Sequence, residues 1–366
     1  MRLLKRYVQK KFIRVYLLTA GAMIGVFLIV DFFEQVDEFL VRNSPWTDLA
    51  AFYLYKIPFI TFFVAPQAVL LATVITMASF ARNNEFTAMK ACGIGVTGIT
   101  MPIIAASVSI ALIVIGINEY VAPKTNKEMN YIFFVKVRGK QPVGAVQRDK
   151  IWYRSANHWI WNIQYYDPGR SLMKKVSIFV PDNGPFIKQR IDAAAVLWNG
   201  KEWEFLDGFV RRFDTNGVVQ TKYFDKQTFP VPETPADFNK THKQPEEMSL
   251  TEMYRNILEL ASQGKDTARQ WVDLHHKISY PFVSVVMALI GIPLSIRTSR
   301  TGGLLFCVSI SLALGFAFSF LYAMGISLGH GGTFSPLLAS WGTNCIFAFA
   351  GFYLLLTLDS DRMLPI

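Results

Sequence analysis

Six apolar runs, at 15–30 (continuing less purely to 39), 49–80, 96–121, 278–296, 304–328 and 336–358, restrict this chain more than any other feature. About 20 apolar residues span a bilayer, and within hydrocarbon only helices or closed barrels satisfy their own backbone groups. The expected fold class is an α-helical membrane protein with six transmembrane helices, three plus three, around an inserted antiparallel β domain. With 52% hydrophobic and 17% charged side chains over 366 residues, the chain is too apolar for an ordinary soluble protein, yet too charged to lie wholly in a membrane. The natural division is 1–122 for three spans, 123–248 for the polar insert, and 249–366 for a linker helix and three further spans.

Charge sets the orientation. Arg2, Lys5, Arg6, Lys10, Lys11 and Arg14 precede the first run without an anion among them. The run is longer than a signal-peptide core and no small-residue cleavage site follows, so it is expected to stay as a span with a cytoplasmic N-terminus. Arg82 and Lys90 lie in the second-to-third connection and Arg297 and Arg300 in the fourth-to-fifth, whereas 329–335 has no Lys or Arg. Both termini then face the cytoplasm, and the insert faces outward. The net charge of +10 is spread over membrane flanks and strand-like segments without a nucleic-acid motif, so no nucleic-acid partner is expected. Cys92 sits in a short polar connection and Cys307 and Cys345 in apolar runs, which excludes a disulfide-stapled insert.

That connection, ARNNEFTAMKACGIG at 81–95, reads as a helical rod, with the span about 82–93 as its working part. Asn83 or Asn84 can cap it, Glu85 suits the positive end of its dipole, and Gly93 or Gly95 offers a left-handed stop. Phe86 and Met89 share a side at i, i+3 with Lys90 beside them, so the rod can lie on a membrane surface or enter a partner's groove.

Inside the insert the period changes. Segments at 151–155, 158–167, 174–182, 185–198, 201–214 and 218–231 are rich in β-branched and aromatic residues, punctuated by turn chemistry at 182–184, 199–200 and 215–217. Their alternation is imperfect, which leaves a closed barrel and an open roll as alternatives. Trp152, Tyr153, Trp159, Trp161, Trp198 and Trp203 either fill a β core or line a slot for acyl chains. A Pro-rich exit (Pro230, Pro232, Pro235, Pro245) precedes Ser249-Leu-Thr-Glu252, a capping box opening a helix at 250–262.

No Walker A sequence, nucleophile elbow or zincin motif is present, so no catalytic residue and no cofactor or metal is assigned. Adjacent His275 and His276 point about 100° apart on a helix and chelate poorly. With Lys277 they are expected to form a basic collar at the outer interface. Asp31, Glu34 and Glu38 form an acidic stripe where the first span emerges. Lys56 lies near the outer end of the second span, and Glu119 ends the third. Charges so close to hydrocarbon mark functional candidates. Asp31, Glu34 and Lys56 are therefore expected to border a cavity mouth between the helical halves. In the fifth span Gly302-Gly303, Gly315, Ser319 and Gly325 allow close helix approach, and Gly315 and Ser319 join the candidate lipid path.

Taken in order, Leu4-Lys5-Arg6-Tyr7, Ala81 to Glu85 with Met89 to Gly93, Asn118 to Pro123, Trp203 to Gly208, Met248-Ser249, His276-Lys277-Ile278 with Pro281, and Gly291-Ile292-Pro293-Leu294 resemble the lipopolysaccharide-export permease family (LptF/LptG, also called YjgP/YjgQ). Asp31 to Glu34 and Asn118 to Pro123 are more similar to the LptG branch. The resemblance implies a half-permease that pairs with its paralogue as a heterodimer. It also implies a cytoplasmic ATPase dimer beneath and a small single-span periplasmic LptC-like protein alongside. Together these take lipopolysaccharide from the inner membrane to a periplasmic β-jelly-roll bridge. By the same resemblance the insert is a jelly roll, and the first and fifth helices form a lateral gate. The loop matching Arg82 to Gly93 is the coupling helix, with Arg82, Glu85, Phe86, Met89 and Lys90 as its candidate contacts and Glu85 making a polar contact to the ATPase. Two other readings share these parts: an exporter of another amphiphile, such as a lipoprotein or lipid precursor, and a non-transporting envelope scaffold.

Overall fold

A computed structural model describes residues 2–359 except 43, 140–147, 156–158, 168, 183–186, 214–218, 232, 236–237, 239–243, 263–264 and 299–302. The chain forms two compact units: Met1–Ile132 with Gln244–Ile257 and Asp266–Ile366, and Phe133–Lys243 with Leu258–Lys265.

In the first unit the long helices are α1 (Arg2–Val41), α2 (Trp46–Arg82), α4 (Val96–Gly116), α7 (Ala268–Thr298), α8 (Gly303–His330) and α9 (Pro336–Asp359). All six are long and apolar enough to cross a membrane. Between α2 and α4 sits the short α3 (Glu85–Ala91), and α4 runs through a π-helical segment (Ile117–Val121) into α5 (Ala122–Asn130). α2 and α7 are central: α2 packs on α1, α5, α7 and α8, and α7 on α2, α4, α8 and α9. Their spans are mostly buried, whereas those of α1, α8 and α9 turn most of their surface outward. One apolar cluster joins Val8 and Phe12 of α1, Phe80 of α2, Phe86 and Met89 of α3, Ile99 of α4 and Ile292 of α7.

The expected capping box is present. The Glu252 N–H donates to Ser249 Oγ at 3.1 Å and the Ser249 N–H to Glu252 Oε2 at 3.3 Å, opening α6 (Leu250–Ser262). Glu119, from the π-helical segment, adds a second cap: its Oε2 accepts the Leu250 N–H at 2.7 Å. A carboxylate there suits the positive end of α6, so the membrane-edge charge of Glu119 has a structural partner. A neighbouring turn is fixed by Asn126, which donates to the Glu246 carbonyl at 2.8 Å.

The second unit is built on one six-stranded antiparallel sheet of β1 (Arg148–Arg154), β2 (Ile160–Asp167), β3 (Leu172–Pro181), β4 (Ile187–Trp198), β5 (Trp203–Phe213) and β6 (Val219–Thr228). Each described strand pairs with its sequence neighbour, leaving β1 and β6 as edges, so among the described residues the inserted antiparallel sheet is an open meander and not a closed barrel. At the Asn199-Gly200 turn, Gly200 has φ +99° and Asn199 Oδ1 accepts the N–H groups of Lys201 and Glu202 at 2.9 and 2.8 Å. The turns expected at 182–184 and 215–217 fall wholly or partly outside the described residues.

The imperfect alternation has a physical cause. Buried residues run Trp161, Ile163, then Tyr166 in β2, and Met173, then Val176 and Ile178 in β3. They run Ile191, Ala193, then Val196 in β4, and Trp203, Phe205, then Val210 in β5. In each strand the phase flips once, along a row crossing the sheet through Gln164, Lys175, Ala194 and Asp207. Lys175 and Asp207 have positive φ of 50°, a kink that re-aims the side chains beyond it. Beside the row, a Cβ on Gly208 would collide with the Asp192 carbonyl oxygen and the Phe224 ring, so only glycine fits there. Of the aromatic candidates, Trp161 and Trp203 are fully buried and Trp152 is exposed. The Phe238 ring fills the space beside them, 5.1 Å from Trp161 and 5.8 Å from Trp203 between centroids, so these side chains make a core and not an open slot.

Candidate functional sites in the helical unit

α3 is short because its neighbours stop it at both ends. Asn84 adopts the left-handed conformation at φ 57° before its first turn and Gly93 does so at φ +79° after its last. Neither asparagine caps through its side chain onto the backbone; Asn83 instead donates to Glu85 Oε1 at 3.2 Å. Phe86 and Met89 are buried in the helical core with Val8, Phe12 and Phe80, which corrects their expected place in a partner's groove. The i, i+3 pair faces inward because desolvating it against the chain's own spans outweighs leaving it wet. The outward face includes Arg82, Asn83, Asn84, Thr87, Ala88, Lys90, Ala91 and Cys92.

Glu85 lies between these two faces. Its carboxylate accepts the Tyr7 hydroxyl at 2.8 Å and the Lys11 ammonium at 3.1 Å, both from α1, besides the Asn83 amide. Partial burial opposes its ionisation, but the hydrogen bonds from Asn83, Tyr7 and Lys11 outweigh it and hold the carboxyl below its ordinary range. Lys11 Nζ also sits 4.3 Å from the centre of the Phe80 ring, a cation–π contact that ties the same group to α2.

Toward the other end of α1, Asp31 and Lys56 meet in a buried ion pair. Lys56 Nζ is 2.7 and 2.6 Å from the two carboxylate oxygens, and their side chains keep only 11% and 9% of their exposure. Gln35 Nε2 donates to Asp31 Oδ1 at 2.9 Å, the Tyr53 hydroxyl donates to the Asp31 carbonyl at 3.2 Å, and Lys56 Nζ lies 5.0 Å from the Phe52 ring centre. Glu34 is exposed and stands apart from this pair. The structure thus brings together two of the three expected residues and joins α1 to α2 with them.

Gly315 and Ser319 form a receptor for a side chain that sequence reasoning missed. Gln67 of α2 donates to the Gly315 carbonyl at 3.3 Å and to Ser319 Oγ at 3.0 Å. A Cβ on Gly315 would collide with the Gln67 amide, so glycine there admits the amide between α2 and α8. One residue on, the Ala68 carbonyl accepts the Thr19 hydroxyl of α1 at 3.2 Å. A lone glutamine in a long apolar run is the signal that could have pointed to this junction, since a membrane-buried amide needs partners.

His276 and Lys277 do not make a surface collar. Lys277 is buried and donates to the Met248 carbonyl, while His276 Nδ1 lies 3.0 Å from the Tyr322 hydroxyl, itself 2.8 Å from Ser279 Oγ. The His276 ring packs edge-on against Phe62 at 5.8 Å. Polar groups at this depth find partners on adjacent helices instead of reaching for the interface.

A bundle of six spans in two sets of three, with a short polar rod between the second and third and paired polar groups between helices, is the membrane subunit of a transporter, a permease. The family model described as lipopolysaccharide export system permease LptF/LptG matches residues 6–357, and the chain belongs to that family. The lipopolysaccharide export system permease protein LptG of Escherichia coli strain K12 is 18% identical over 322 residues, covering 86% of this chain and 87% of the relative. The protein of the same name from Haemophilus influenzae is 20% identical over 294 residues, covering 79% and 80%. The chain is accordingly a multi-pass inner-membrane permease subunit, similar to the LptG branch.

Proposed function

We propose that this chain is one half of a heterodimeric permease that extracts lipopolysaccharide from the inner membrane and passes it to a periplasmic β-jelly-roll bridge. A paralogous subunit supplies the other half, a single-span periplasmic LptC-like protein sits alongside, and a cytoplasmic ATPase dimer supplies the energy. In this reading both termini and α3 are cytoplasmic, the part at 123–248 is periplasmic, and α3 is the coupling helix. The charge asymmetry of the short loops supports the orientation. The peripheral packing of α1 and α8 suits helices that part to admit a lipid, with the Gln67–Ser319 and Asp31–Lys56 contacts on the route they border.

The observation that carries the reading is the division of α3 into a buried apolar face and an open polar face, in a chain matched to the permease family over nearly its full length. A rod seated in this way can pass a push into the bundle as a rigid-body shift. Its docking surface is Arg82, Thr87 and Lys90. The test is co-purification of the ATPase with the permease pair, together with ATP-dependent release of lipopolysaccharide from proteoliposomes. Arg82→Glu combined with Lys90→Glu is expected to strip the ATPase and abolish release while the permease pair stays intact. Normal ATPase recovery and normal release would refute the assignment. Mass spectrometry of co-purified lipid separates lipopolysaccharide from another amphiphile as cargo.

A further inference from the structure

The cations that precede the apolar part of α1 do not share one environment. Lys11 is held inside the chain, its ammonium 3.1 Å from Glu85 and 4.3 Å from the centre of the Phe80 ring. Arg6, Lys10 and Arg14 are exposed, and among the described residues none pairs with them. At about 100° per residue these three fall on one side of the helix with Ile13 and Leu17, within an arc of about 100°. Val8 and Phe12, which pack into the core of the bundle, lie on the opposite side. The open arc therefore points away from the chain's own helices, and the apolar middle of α1 beyond it has none of its residues buried by the rest of the chain.

Along this arc the chemistry changes in one direction. Arg6, Lys10 and Arg14 follow one another at about 6 Å along the axis, and Arg14 stands immediately before the apolar run. Ile13, Leu17 and Leu18 carry the same surface onward, 43%, 64% and 68% exposed, and these residues line one shallow groove along the helix. A cationic stripe about 12 Å long that passes into apolar surface matches a molecule with an anionic head and a hydrocarbon tail. The headgroup layer is about 5–8 Å deep on each side of the hydrocarbon, so Lys10 and Arg14 lie at phosphate depth when the apolar run fills the core. Long basic side chains snorkel along the axis, which lets Arg6 and Arg14 close on a phosphate held at Lys10. An orientation signal would be served by cations on any face of the helix, whereas these three share one.

We infer that the outward face of α1 at Arg6, Lys10 and Arg14 is a binding site for an anionic phospholipid of the cytoplasmic leaflet, with its phosphate on the three cations and an acyl chain along Ile13, Leu17 and Leu18. The ligand is a resident lipid and not the cargo, so the site goes beyond the transport reading. It rests on that reading only for the orientation that puts the N-terminus in the cytoplasm. Charge complementarity selects the occupant: the cytoplasmic leaflet carries anionic lipid, which basic segments beside a span attract.

The test uses the complete complex with its ATPase, purified in mild detergent and given phosphatidylglycerol or phosphatidylcholine with the same acyl chains. Native mass spectrometry counts the retained lipid, and melting is followed with each lipid. Lys10→Gln and Arg14→Gln are each expected to lower phosphatidylglycerol retention roughly three- to fivefold, and both together with Arg6→Gln more than about tenfold, with phosphatidylcholine retention unchanged. Lys5→Gln removes the same charge from outside the arc and should change retention by less than about twofold. Phosphatidylglycerol should raise the melting temperature of the parent and leave that of the triple variant where it was. Equal losses from Lys5→Gln and Lys10→Gln would reduce the site to diffuse attraction and overturn the inference. A photoreactive group at Leu17 is expected to capture lipid, and capture of the paralogous subunit in its place would also overturn it. Labelling of Arg2→Cys by an impermeant thiol reagent outside intact spheroplasts, in an otherwise cysteine-free chain, would remove the orientation reading and the assignment to the cytoplasmic leaflet with it, whatever the lipid counts.

Discussion

Toward each end of α1 lies an ion pair to another helix, Asp31–Lys56 and Lys11–Glu85, and the two differ in what surrounds them. Asp31–Lys56 lies between two spans with both charges almost wholly withdrawn from solvent, supported by Gln35 and a carbonyl bond from Tyr53. Lys11–Glu85 lies at the edge of the bundle, about a quarter exposed, with a hydroxyl and an amide sharing the carboxylate. The chemistry of the partners is the same, but a buried pair is costly to break because the survivor is left uncompensated in a low-dielectric setting, whereas a wetter pair exchanges partners cheaply. The first is therefore a costly staple to split, and the second a cheaper one.

The largest expected effect comes from splitting the staple. Lys56→Ala should destabilise the permease by about 3–5 kcal/mol, seen as a lowered detergent melting temperature, and Asp31→Leu with Lys56→Met should recover most of it. Equal damage from single and double variants would show that the pair is not the staple. Next comes the seat of α3, where Met89→Ala opens a cavity under the rod at a cost of about 2–4 kcal/mol. Melting would register that loss, whereas a docking role for Met89 would leave melting unchanged and weaken ATPase recovery alone. Gly315→Val overpacks the Gln67 junction by about 1–3 kcal/mol, and pairing it with Gln67→Ala should relieve much of the strain.

Smallest is Lys11→Ala, at about 0.5–1 kcal/mol, with a pH signature. Glu85 ionises below its ordinary value of 4.5 in the folded chain, so the stability it adds is complete above that value and lost as pH falls through the lower folded one. The parent should therefore lose its advantage over Glu85→Gln in melting only below about pH 4.5. An advantage that persists at lower pH would contradict an ionised Glu85 carboxylate held by Tyr7, Lys11 and Asn83.

The spans, the capping box at Ser249 and the Asn199 turn are legible in the sequence because each depends on residues within a few positions of one another. What was not legible depends on distant partners. No local pattern says that Glu85 meets Tyr7 and Lys11, or that Gln67 seats on Gly315. Phe86 and Met89 are correctly read as one face, but a helical period does not say whether that face turns toward a partner or toward the chain itself. The β alternation misleads for a related reason: the flip at Lys175 and Asp207 is set by backbone conformations that the side-chain pattern alone does not announce. His276 and Lys277 look like interface anchors because their partners, Tyr322 and the Met248 carbonyl, arrive from elsewhere in the chain.

Site-specific photo-crosslinking from α3 in the intact complex tests most directly whether ATP-derived force enters there. With the photoreactive group at Thr87 or Lys90, covalent adducts to the ATPase are expected, and at Phe86 or Met89 the adducts should fall within the permease chain itself. Adducts to the ATPase from the buried positions, or none from Thr87 and Lys90, would contradict the account.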